Sequence, residues 1–291
     1  MASKLLPNEA QQFFRYRAQT GQFMKLARLL AERQIEYLPI KGVVAGSNYP
    51  MDVIRLAGDH DIAVRADGYQ TVKALLNDAD FADINIDLHC ELRHLDTLPW
   101  AQFLERSIIA EVGGVNVRIP CPEDHLRIMA VHWLNDGGQY KERLWDIYYA
   151  VENRPESFDW LECLDVVSPT RRKWVITAIG LTHRYLGLNI DDLPFADEAR
   201  QIPKWIIKTV EKEWDTDVCL IPLHAVVRQP RLFMQQLKKR FPPNPIQATI
   251  EAEGEFDERS RILYQLLSIY NRLVPSLQRI IPMFRRRRVS E

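Results

Sequence analysis

The sequence predicts an α+β protein in which a mixed part with short strands comes first and an almost purely helical part follows. Up to about residue 119, short runs of alternating apolar residues lie between helical stretches. From Pro122 onward, the apolar residues recur at three- and four-residue steps instead. We therefore expect a boundary near residue 120, with one domain over residues 1–119 and a second over residues 120–291.

Four short segments have the pattern of β-strands. From Ile84 to Leu92 every second residue is apolar, which is typical of a half-buried strand. The run from Val112 to Pro120 contains Gly113-Gly114, where we expect a turn. The other two predicted strands cover Ile35–Ile40 and Asp59–Val64.

Helices are expected between and after these strands. The stretch from Glu9 to Gln34 has aromatic and leucine residues at helical spacing, and Pro122-Glu123-Asp124 is typical of a helix start. The segment Phe241–Pro245 predicts a rigid linker, because proline does not continue a regular helix. The further predicted helices cover Val43–Tyr49, Asp67–Asn77, Tyr140–Val151, Trp160–Val167, Arg171–Leu186, Pro203–Trp214, Pro222–Phe241 and Phe256–Leu273.

The composition is that of an ordinary globular protein, since 46% of the 291 residues are hydrophobic and 26% are charged. The net charge of −1 gives no overall field toward nucleic acid or a membrane, and no apolar run approaches the roughly 20 residues that span a bilayer. The first ten residues lack the apolar core of a signal peptide. Four scattered cysteines without a Cys-x-x-Cys pair predict reduced thiols in a cytoplasmic protein.

The last basic run of the chain is Arg285–Arg288. A disordered, solubilising end explains it, and so does contact with an acidic partner or with lipid headgroups. Because the run lies beyond the last periodic helix, we expect its removal to leave the fold unchanged.

Asp59 and Asp61 give the strongest sign of a chemical site. In a strand, both carboxylates project from one face and His60 projects from the other. Adjacent carboxylates repel each other, and a divalent ion such as Mg²⁺ between them removes that repulsion. We therefore predict a metal site, with a solvated turn as the alternative for so short a pattern. On the same argument, Asp61→Asn should leave the metal-free fold intact or slightly more stable.

A third carboxylate is expected from the strand that follows. Asp87 and His89 share its polar face, opposite the apolar residues. If this strand neighbours Asp59–Val64 in one sheet, Asp87 joins the same metal centre. A generic solvated face would show the same pattern, so this strand alone does not decide the matter.

Lys41 and Gly42 end the first predicted strand just before a predicted helix. A strand, a glycine turn and a helix N-terminus form a natural phosphate site, because free backbone N–H groups point outward there. The alternative for Lys41 is an exposed charge at a strand end. Arg55 lies a few residues before the aspartate pair and adds a second cation.

Five segments in this order resemble an uncharacterised bacterial nucleotidyltransferase family of the polymerase-β-like superfamily, a type often associated with lasso-peptide or polysaccharide gene sets. Each segment is weak alone, and their order makes the set more specific. The resemblance extends over roughly residues 25–220. The segments are Pro39–Gly42, Arg55–Val64, Ile86–His89, Pro122–Leu126 with His132, and Arg143–Ile147.

The resemblance implies a small mixed β-sheet that carries the catalytic carboxylates, followed by a helical domain that closes over the nucleotide. It implies that Asp59 and Asp61 hold metal, and that Asp87 either binds metal or accepts the proton of the acceptor hydroxyl. It puts the triphosphate turn at Lys41-Gly42, although the superfamily has Gly-Gly or Gly-Ser there. Gly46-Ser47 is the second candidate for that turn.

These observations predict an enzyme that uses Mg²⁺ (or Mn²⁺) to move a nucleoside monophosphate from an NTP to an acceptor, with release of pyrophosphate. We expect ATP as the NTP, whereas a peptide, a sugar, a small molecule or a protein side chain are all open as acceptor. The sequence gives no sign of DNA binding. The predicted nucleotide contacts are Lys41, Gly42, Arg55, His132 and Arg143.

Two other functions stay open. One is a nucleotide-binding regulator without turnover, and the other is a metal-dependent phosphohydrolase in which His89 and His132 join the three aspartates. His132 is also explained as a hydrogen-bonded packing residue on a helix. Arg143 and Asp146, three positions apart, are also explained as an ion pair along one helix.

Overall fold

The computed structural model describes residues 7–112, 114–216, 218, 221, 223–226 and 229–272, and it shows an α+β protein with small sheets. The tail Arg285–Arg288 lies outside these residues. In chain order the elements are α1 (Pro7–Glu32), β1 (Leu38–Pro39), α2 (Gly42–Gly46), β2 (His60–Val64), α3 (Tyr69–Leu75), β3 (Ile86–Cys90), α4 (Trp100–Arg106), β4 (Ile108–Val112), β5 (Val115–Ile119), α5 (Pro122–Asn135), α6 (Leu144–Glu152), α7 (Trp160–Leu164), α8 (Pro169–Leu186), α9 (Ala196–Arg200), α10 (Lys204–Trp214), α11 (Leu223–Val226), α12 (Pro230–Arg240) and α13 (Pro245–Glu251).

The first sheet is mixed and has the order β1-β2-β3. Strand β1 pairs antiparallel with β2, and β2 pairs parallel with β3. The predicted strand from Ile35 is only two residues long, because Pro39 has no N–H to donate to a ladder. The chain nevertheless stays beside β2 for one more residue, since the Ile40 amide donates to the Asp61 carbonyl at 3.1 Å.

Strands β4 and β5 form a separate antiparallel hairpin. The predicted turn is confirmed, since Val112 and Val115 are paired on either side of it. Gly114 has φ +86°, a conformation that glycine adopts without strain. Strand β4 was not predicted, because its exposed isoleucines do not alternate with polar residues.

The largest hydrophobic core lies among the helices after Pro120. Trp133 of α5 and Trp174 of α8 are its largest fully buried side chains. Smaller cores lie around the first sheet, and α5 contributes Ile128 to one of them. Helix α5 therefore packs against both groups of elements. The elements change in kind near residue 120 as predicted, and the division into two domains stays a prediction.

Several predicted helices have other bounds. The run Tyr140–Val151 begins as a 3₁₀ turn over Lys141–Arg143 before α6 starts. The last residue of the predicted linker, Pro245, is the first residue of α13. The Asn244 side chain caps this helix, since its Oδ1 accepts a hydrogen bond from the Ile246 amide at 2.9 Å. Short helices α4, α9 and α13 were not predicted, since five to seven residues give too little periodicity.

The C-terminal helix begins later than the predicted residue 256. Phe256 is buried in the helical core, and the Arg261 guanidinium donates to the Glu255 and Arg259 carbonyls at 2.7 and 2.8 Å. These contacts hold residues 255–261 in a loop, and the described helix covers 262–272. The predicted helix Pro222–Phe241 is also divided, into α11 and α12.

Cys90, Cys121 and Cys163 are free thiols, as predicted, while Cys219 lies outside the described residues. Among the helices that the structure describes, none is long and apolar enough to cross a lipid bilayer.

Candidate active site

The parallel pair β2–β3 brings two of the predicted carboxylates together. Asp61 and Asp87 are direct partners in its register, so their side chains lie on the same face of the sheet. His89 lies on that face two residues further along β3. Ligand atoms of these three residues all lie within 4.8 Å of one another, which makes them a group that could hold a metal ion. The predicted neighbourhood of the two strands is confirmed.

His89 lies between the two carboxylates. Its Nε2 is 3.0 Å from Asp87 Oδ2 and 3.3 Å from Asp61 Oδ1. Burial lowers the pKa of His89, but the hydrogen bonds to both carboxylates outweigh burial and the net pKa is raised. His89 therefore carries its proton more readily than a histidine in water, and a protonated ring can donate to either carboxylate.

Asp61 also forms an ion pair with Lys41, whose Nζ lies 2.6 Å from Asp61 Oδ1. Burial raises the pKa of Asp61, whereas the hydrogen bond from His89 and the charge of Lys41 lower it to a net value of about 2. Lys41 is itself 9% exposed, so it is not the exposed strand-end charge of the alternative interpretation. In the metal-free protein, the repulsion expected at Asp61 is already neutralised by this ammonium group.

Asp59 lies just before β2 and is less buried than Asp61. Burial and the charge of Asp61 raise its pKa. Of the three predicted carboxylates, Asp61 and Asp87 are held by hydrogen bonds to His89, and within the described residues the compact ligand group contains them and not Asp59.

The turn at Lys41-Gly42 lies where the sequence predicted it, at the start of α2. Gly42 has φ +31°, and a Cβ there would lie 3.3 Å from the Ala57 Cβ and 3.4 Å from the Asp59 carbonyl oxygen. A side chain at this position would therefore press the turn against the strand that carries the carboxylates. The turn and the aspartates face one cavity.

Gly46-Ser47, the second candidate for the triphosphate turn, lies at the other end of α2. Ser47 follows the helix, and its hydroxyl donates to the Val44 carbonyl at 2.7 Å. These two residues line a neighbouring cavity of about 450 Å³ rather than the one that contains Asp61. Their position favours Lys41-Gly42 as the turn beside the carboxylates.

A cavity of about 930 Å³ opens between this sheet face and the helices that follow it. Aromatic side chains of the opposite wall include Tyr140, Trp145 and Tyr149, with Tyr49 from the segment after α2. Every residue predicted for the site lines this cavity: Lys41, Gly42, Arg55, Asp59, Asp61, Asp87, His132 and Arg143.

His132 and Arg143 face the cavity from α5 and from the turn before α6. Arg143 Nη1 lies 3.0 Å from His132 Nε2 and 2.9 Å from Asp136 Oδ2. Burial, followed by the charges of Lys41 and Arg143, lowers the pKa of His132 to about 3. His132 is therefore neutral near pH 7, and its ring nitrogen accepts a hydrogen bond from Arg143. The guanidinium also lies over the Tyr140 ring, 4.6 Å from its centroid.

Arg55 is held by Asp146 rather than standing free. Its Nε and Nη2 donate to the two oxygens of Asp146 at 3.0 and 2.8 Å, and the Tyr49 hydroxyl donates to the same carboxylate at 2.7 Å. The ion pair suggested by the spacing of Arg143 and Asp146 is therefore wrong, because each contacts a different partner. The Arg55–Asp146 pair joins the sheet side of the cavity to α6.

Sequence reasoning missed the acidic and aromatic partners on the helical wall. No site role was predicted for Asp136, and Tyr49 was only the last residue of a predicted helix. Neither residue belongs to a recognisable motif. Tyr49 contacts Asp146, 97 positions away, and Asp136 contacts Arg143, seven positions away and beyond the end of α5. One signal was available, namely that Trp145, Tyr148 and Tyr149 crowd one short segment next to a predicted site residue.

The fold and the cavity define an α+β protein with an acidic, lysine-bearing site. A family described as uncharacterised nucleotidyltransferase matches residues 1–187, more than half of the chain. The protein therefore belongs to this nucleotidyltransferase family. No curated protein and no solved structure matches the chain.

Proposed function

We propose that the protein transfers a nucleoside monophosphate from an NTP to an acceptor hydroxyl and releases pyrophosphate, in the manner of the polymerase-β-like superfamily. One observation carries the proposal: Asp61 and Asp87 are register partners on adjacent strands, and Lys41, which follows β1 on the other side of β2, pairs with Asp61. Carboxylates and an ammonium group thus converge on one cavity, which suits a substrate with both a bound cation and phosphates.

The donor set fits a divalent cation. Ligand atoms of two carboxylates and one histidine lie within 4.8 Å of one another, which is close enough for a shared ion. Mg²⁺ or Mn²⁺ prefers the carboxylate oxygens among them. We assign the cation to Asp61 and Asp87, with Asp59 at the edge of the site. His89 then orients both carboxylates by hydrogen bonding, as partners of metal ligands commonly do. A bound divalent ion would neutralise charge on the phosphates and on the leaving pyrophosphate.

Lys41 and Gly42 are proposed to hold the triphosphate. The Lys41 ammonium already lies at the carboxylates, so it can move between Asp61 and a phosphate oxygen without leaving the cavity. Gly42 lets the phosphates approach the backbone, because a side chain there would crowd Ala57 and Asp59. These residues bind and position the triphosphate, and positioning with charge neutralisation supplies most of the catalysis in phosphoryl chemistry.

Asp87 is the group that we propose to accept the proton of the acceptor hydroxyl. Its side chain is 48% exposed, whereas that of Asp61 is 8% exposed, so an acceptor can reach Asp87 from solvent. The hydrogen bond from His89 lowers the pKa of Asp87 despite partial burial, so this carboxylate is ionised near pH 7.

The helical wall is proposed to bind the nucleoside. Arg143, supported by Asp136 and stacked on Tyr140, presents a planar cation next to exposed aromatic rings, which suits a purine base. Arg55 is engaged by Asp146, so its proposed role is to position this wall. ATP as substrate and a cytoplasmic location stay predictions, and the acceptor stays open among a peptide, a sugar, a small molecule and a protein side chain.

A metal-dependent phosphohydrolase is the second candidate, and one observation favours it. The hydrolase alternative places both His89 and His132 beside the aspartates. His89 does lie in the ligand group with the two carboxylates, whereas His132 contacts Arg143. A nucleotide-binding regulator without turnover is the third candidate. The product separates all three, because a transferase releases pyrophosphate, a hydrolase releases inorganic phosphate, and a regulator releases neither.

The test is a screen of the four NTPs with Mg²⁺ or Mn²⁺ against pools of hydroxyl-bearing acceptors, with pyrophosphate and phosphate measured separately. We expect metal-dependent pyrophosphate release that Asp87→Asn reduces. Asp67→Asn is the matched control, since this carboxylate is exposed, lies just after β2 and does not line the cavity. Release of phosphate alone would replace the proposal by the hydrolase. Tight NTP binding without any product would replace it by the regulator.

A further inference from the structure

Strand β3 is the last strand of its sheet, and among the described residues no strand pairs with its outer edge. Its odd-numbered residues bond to β2, as the hydrogen bond from the His60 amide to the Asn85 carbonyl shows. The backbone groups of the even-numbered residues Ile86 and Leu88 therefore point outward, away from the sheet.

One of these outward groups is covered by a side chain. Arg93 Nη2 donates to the Leu88 carbonyl at 2.9 Å, and Arg93 itself is exposed. Charged side chains commonly cover the edges of sheets in this way. The Leu88 N–H and both backbone groups of Ile86 have no hydrogen-bond partner within the described part of the chain. They form a template for one further strand.

Asp87 lies at this edge, between Ile86 and Leu88, and its half-exposed side chain faces the cavity. The backbone of Asp87 bonds to β2, so a strand added antiparallel on the other side would meet it in a non-hydrogen-bonded pair. The two residues of such a pair lie about 4.5 Å apart at Cα, with both side chains on the same face. A hydroxyl on the residue opposite Asp87 would therefore lie within reach of the carboxylate that we propose to accept its proton.

The two neighbours of that hydroxyl residue would lie on the opposite face of the sheet. There they would meet Ile86 and Leu88, whose half-buried side chains pack against the core around Leu26, Leu30 and Ile62. Apolar neighbours would extend this core, whereas charged neighbours would be drawn out of water. The edge therefore favours a hydroxyl residue between two apolar residues.

We propose that the acceptor is an extended peptide segment, which adds antiparallel to the outer edge of β3 and brings a serine or threonine hydroxyl to Asp87. This inference rests on the proposed function and selects one acceptor class for it. In the transfer, the hydroxyl oxygen bonds to the α-phosphorus, the bond from that phosphorus to the pyrophosphate oxygen breaks, and the proton moves to Asp87. Outward N–H and C=O groups suit a peptide rather than a sugar, because a peptide backbone offers both kinds of partner in turn.

The first test measures transfer to short peptides by mass spectrometry, with the four NTPs and Mn²⁺. One pool carries a serine or threonine between two apolar residues, and the control pool has aspartate at both flanking positions. We expect at least about fivefold more nucleoside monophosphate on the first pool, because the control lacks two cross-strand contacts. Pyrophosphate release with sugars or small molecules, and none with peptides, would overturn the peptide acceptor and leave the proposed function standing. Absence of release with every acceptor would contradict the proposed function itself, and the acceptor role with it.

The second test needs no turnover and uses the apolar-flanked pool with alanine in place of the hydroxyl residue. We expect this pool to slow amide hydrogen exchange at Ile86 and Leu88 by at least about fivefold, as seen by NMR, while Asp87 and His89, which already bond to β2, change little. The same pool with N-methylated backbone should have no effect. Unchanged exchange at Ile86 and Leu88 would overturn the proposal. Slowing that increases with protein concentration in the absence of peptide would assign the edge to a second copy of the chain, and would overturn it as well.

The third test removes the side chain that covers the edge. Arg93 has φ +51°, which glycine adopts without strain, so Arg93→Gly should fold normally. Release of the Leu88 carbonyl should strengthen binding of the alanine pool about fivefold, the effect of one neutral hydrogen bond. Gln34→Gly is the matched control, since Gln34 is also exposed and has φ +55° in the turn after α1. Equal binding by the two variants would contradict the edge as the peptide site.

Discussion

Among the described residues, two clusters of charged side chains with buried members are built differently. One contains Lys41, Asp61, Asp87 and His89 at the cavity. The other lies between α4, α5 and α7, and we call it the Arg127 cluster: it contains Asp96, Arg106, Asp124, Arg127 and Glu162.

The Arg127 cluster is closed. Arg127 donates to Asp96 at 2.8 Å, to Asp124 at 2.6 Å and to the carbonyls of Glu162 and Cys163 at 3.1 Å. The side chains of Arg127 and Asp96 are each 1% exposed, and that of Asp124 is 0% exposed. Its central charges, those of Asp96, Asp124 and Arg127, therefore meet partners inside the protein.

The cavity cluster is open on one side. Asp61 is as buried as a structural carboxylate, but its neighbour Asp87 is half-exposed and faces a large cavity. Burial of charge therefore does not by itself mark a functional site. A functional site is marked instead by a buried ion pair, such as Lys41–Asp61, that lies beside carboxylates which a ligand can reach. Three predictions test this contrast, and a fourth concerns a buried histidine outside both clusters.

The largest effect is expected in the closed cluster. Arg127→Met leaves two buried aspartates short of a partner, so we expect a loss of about 3–5 kcal/mol in the free energy of unfolding, or roughly 10 °C in melting temperature. Thermal denaturation measures it. Arg200→Met is the control, because the Arg200–Asp191 pair is on the surface and should contribute at most about 1 kcal/mol. Equal effects of the two variants would contradict the contrast.

Asp61→Asn should lower metal-dependent pyrophosphate release by at least about 100-fold, because an amide cannot replace the proposed carboxylate ligand. The structure revises the expected stability of this variant, since Lys41 loses its partner. We expect a loss of about 1–3 kcal/mol rather than a gain. Full activity in Asp61→Asn, measured beside Asp67→Asn, would remove the metal assignment.

Lys41→Ala should affect ligand binding in two opposite ways. Mg²⁺ and an NTP together should stabilise the wild type more than the sum of each alone. A ligand at 100 times its dissociation constant stabilises by about 2.7 kcal/mol in total. The variant should show less of this synergy but bind Mn²⁺ alone more tightly, because no ammonium then competes for Asp61.

Thermal shift measures both effects of Lys41→Ala. Lys239→Ala is the matched control, since Lys239 and Glu213 form another largely buried pair, with both side chains 13% exposed, and neither lines the cavity. Unchanged synergy in Lys41→Ala would refute the triphosphate role of Lys41.

The smallest effect concerns His125, which is buried on α5 and belongs to neither cluster. Burial lowers its pKa from 6.5 to about 4, so the unfolded chain binds more protons between these values and stability falls as the pH falls. Between pH 6.5 and about 5.5 this amounts to about 1 kcal/mol. His125→Gln should reduce that part of the slope in melting experiments over pH. An identical slope in wild type and variant would show that His125 does not contribute.

Much of the cavity cluster was predictable from local pattern. The alternation in Ile84–Leu92 put Asp87 and His89 on one face, and the Asp-x-Asp spacing did the same for Asp59 and Asp61. The pattern did not reveal that Lys41 forms an ion pair with Asp61, because two strands with unknown register offer many pairings. Their register was settled by the packing of both strands against the core.

The Arg127 cluster was not predictable in the same way. Asp96 is in a loop, Arg106 ends a short helix, and Glu162 lies far along the chain, so no spacing relates them. Arg127 and Asp124 are three residues apart on a predicted helix, which is a common spacing on exposed helix faces. Only the contact of α5 with α7 and with the loop before α4 buries the pair.

Sequence alone was enough to predict the fold class, the change from strands to helices near residue 120, the resemblance to a nucleotidyltransferase family and eight of the residues that line the cavity. These features depend on local periodicity and short motifs, which a chain carries without folding. The tertiary structure decided which charges meet: Lys41 with Asp61, Arg143 with Asp136, and Arg55 with Asp146. Such ion pairs depend on strand register and helix packing. Many residues that are distant in sequence together set the register and the packing, so no single stretch of sequence shows which charges will pair.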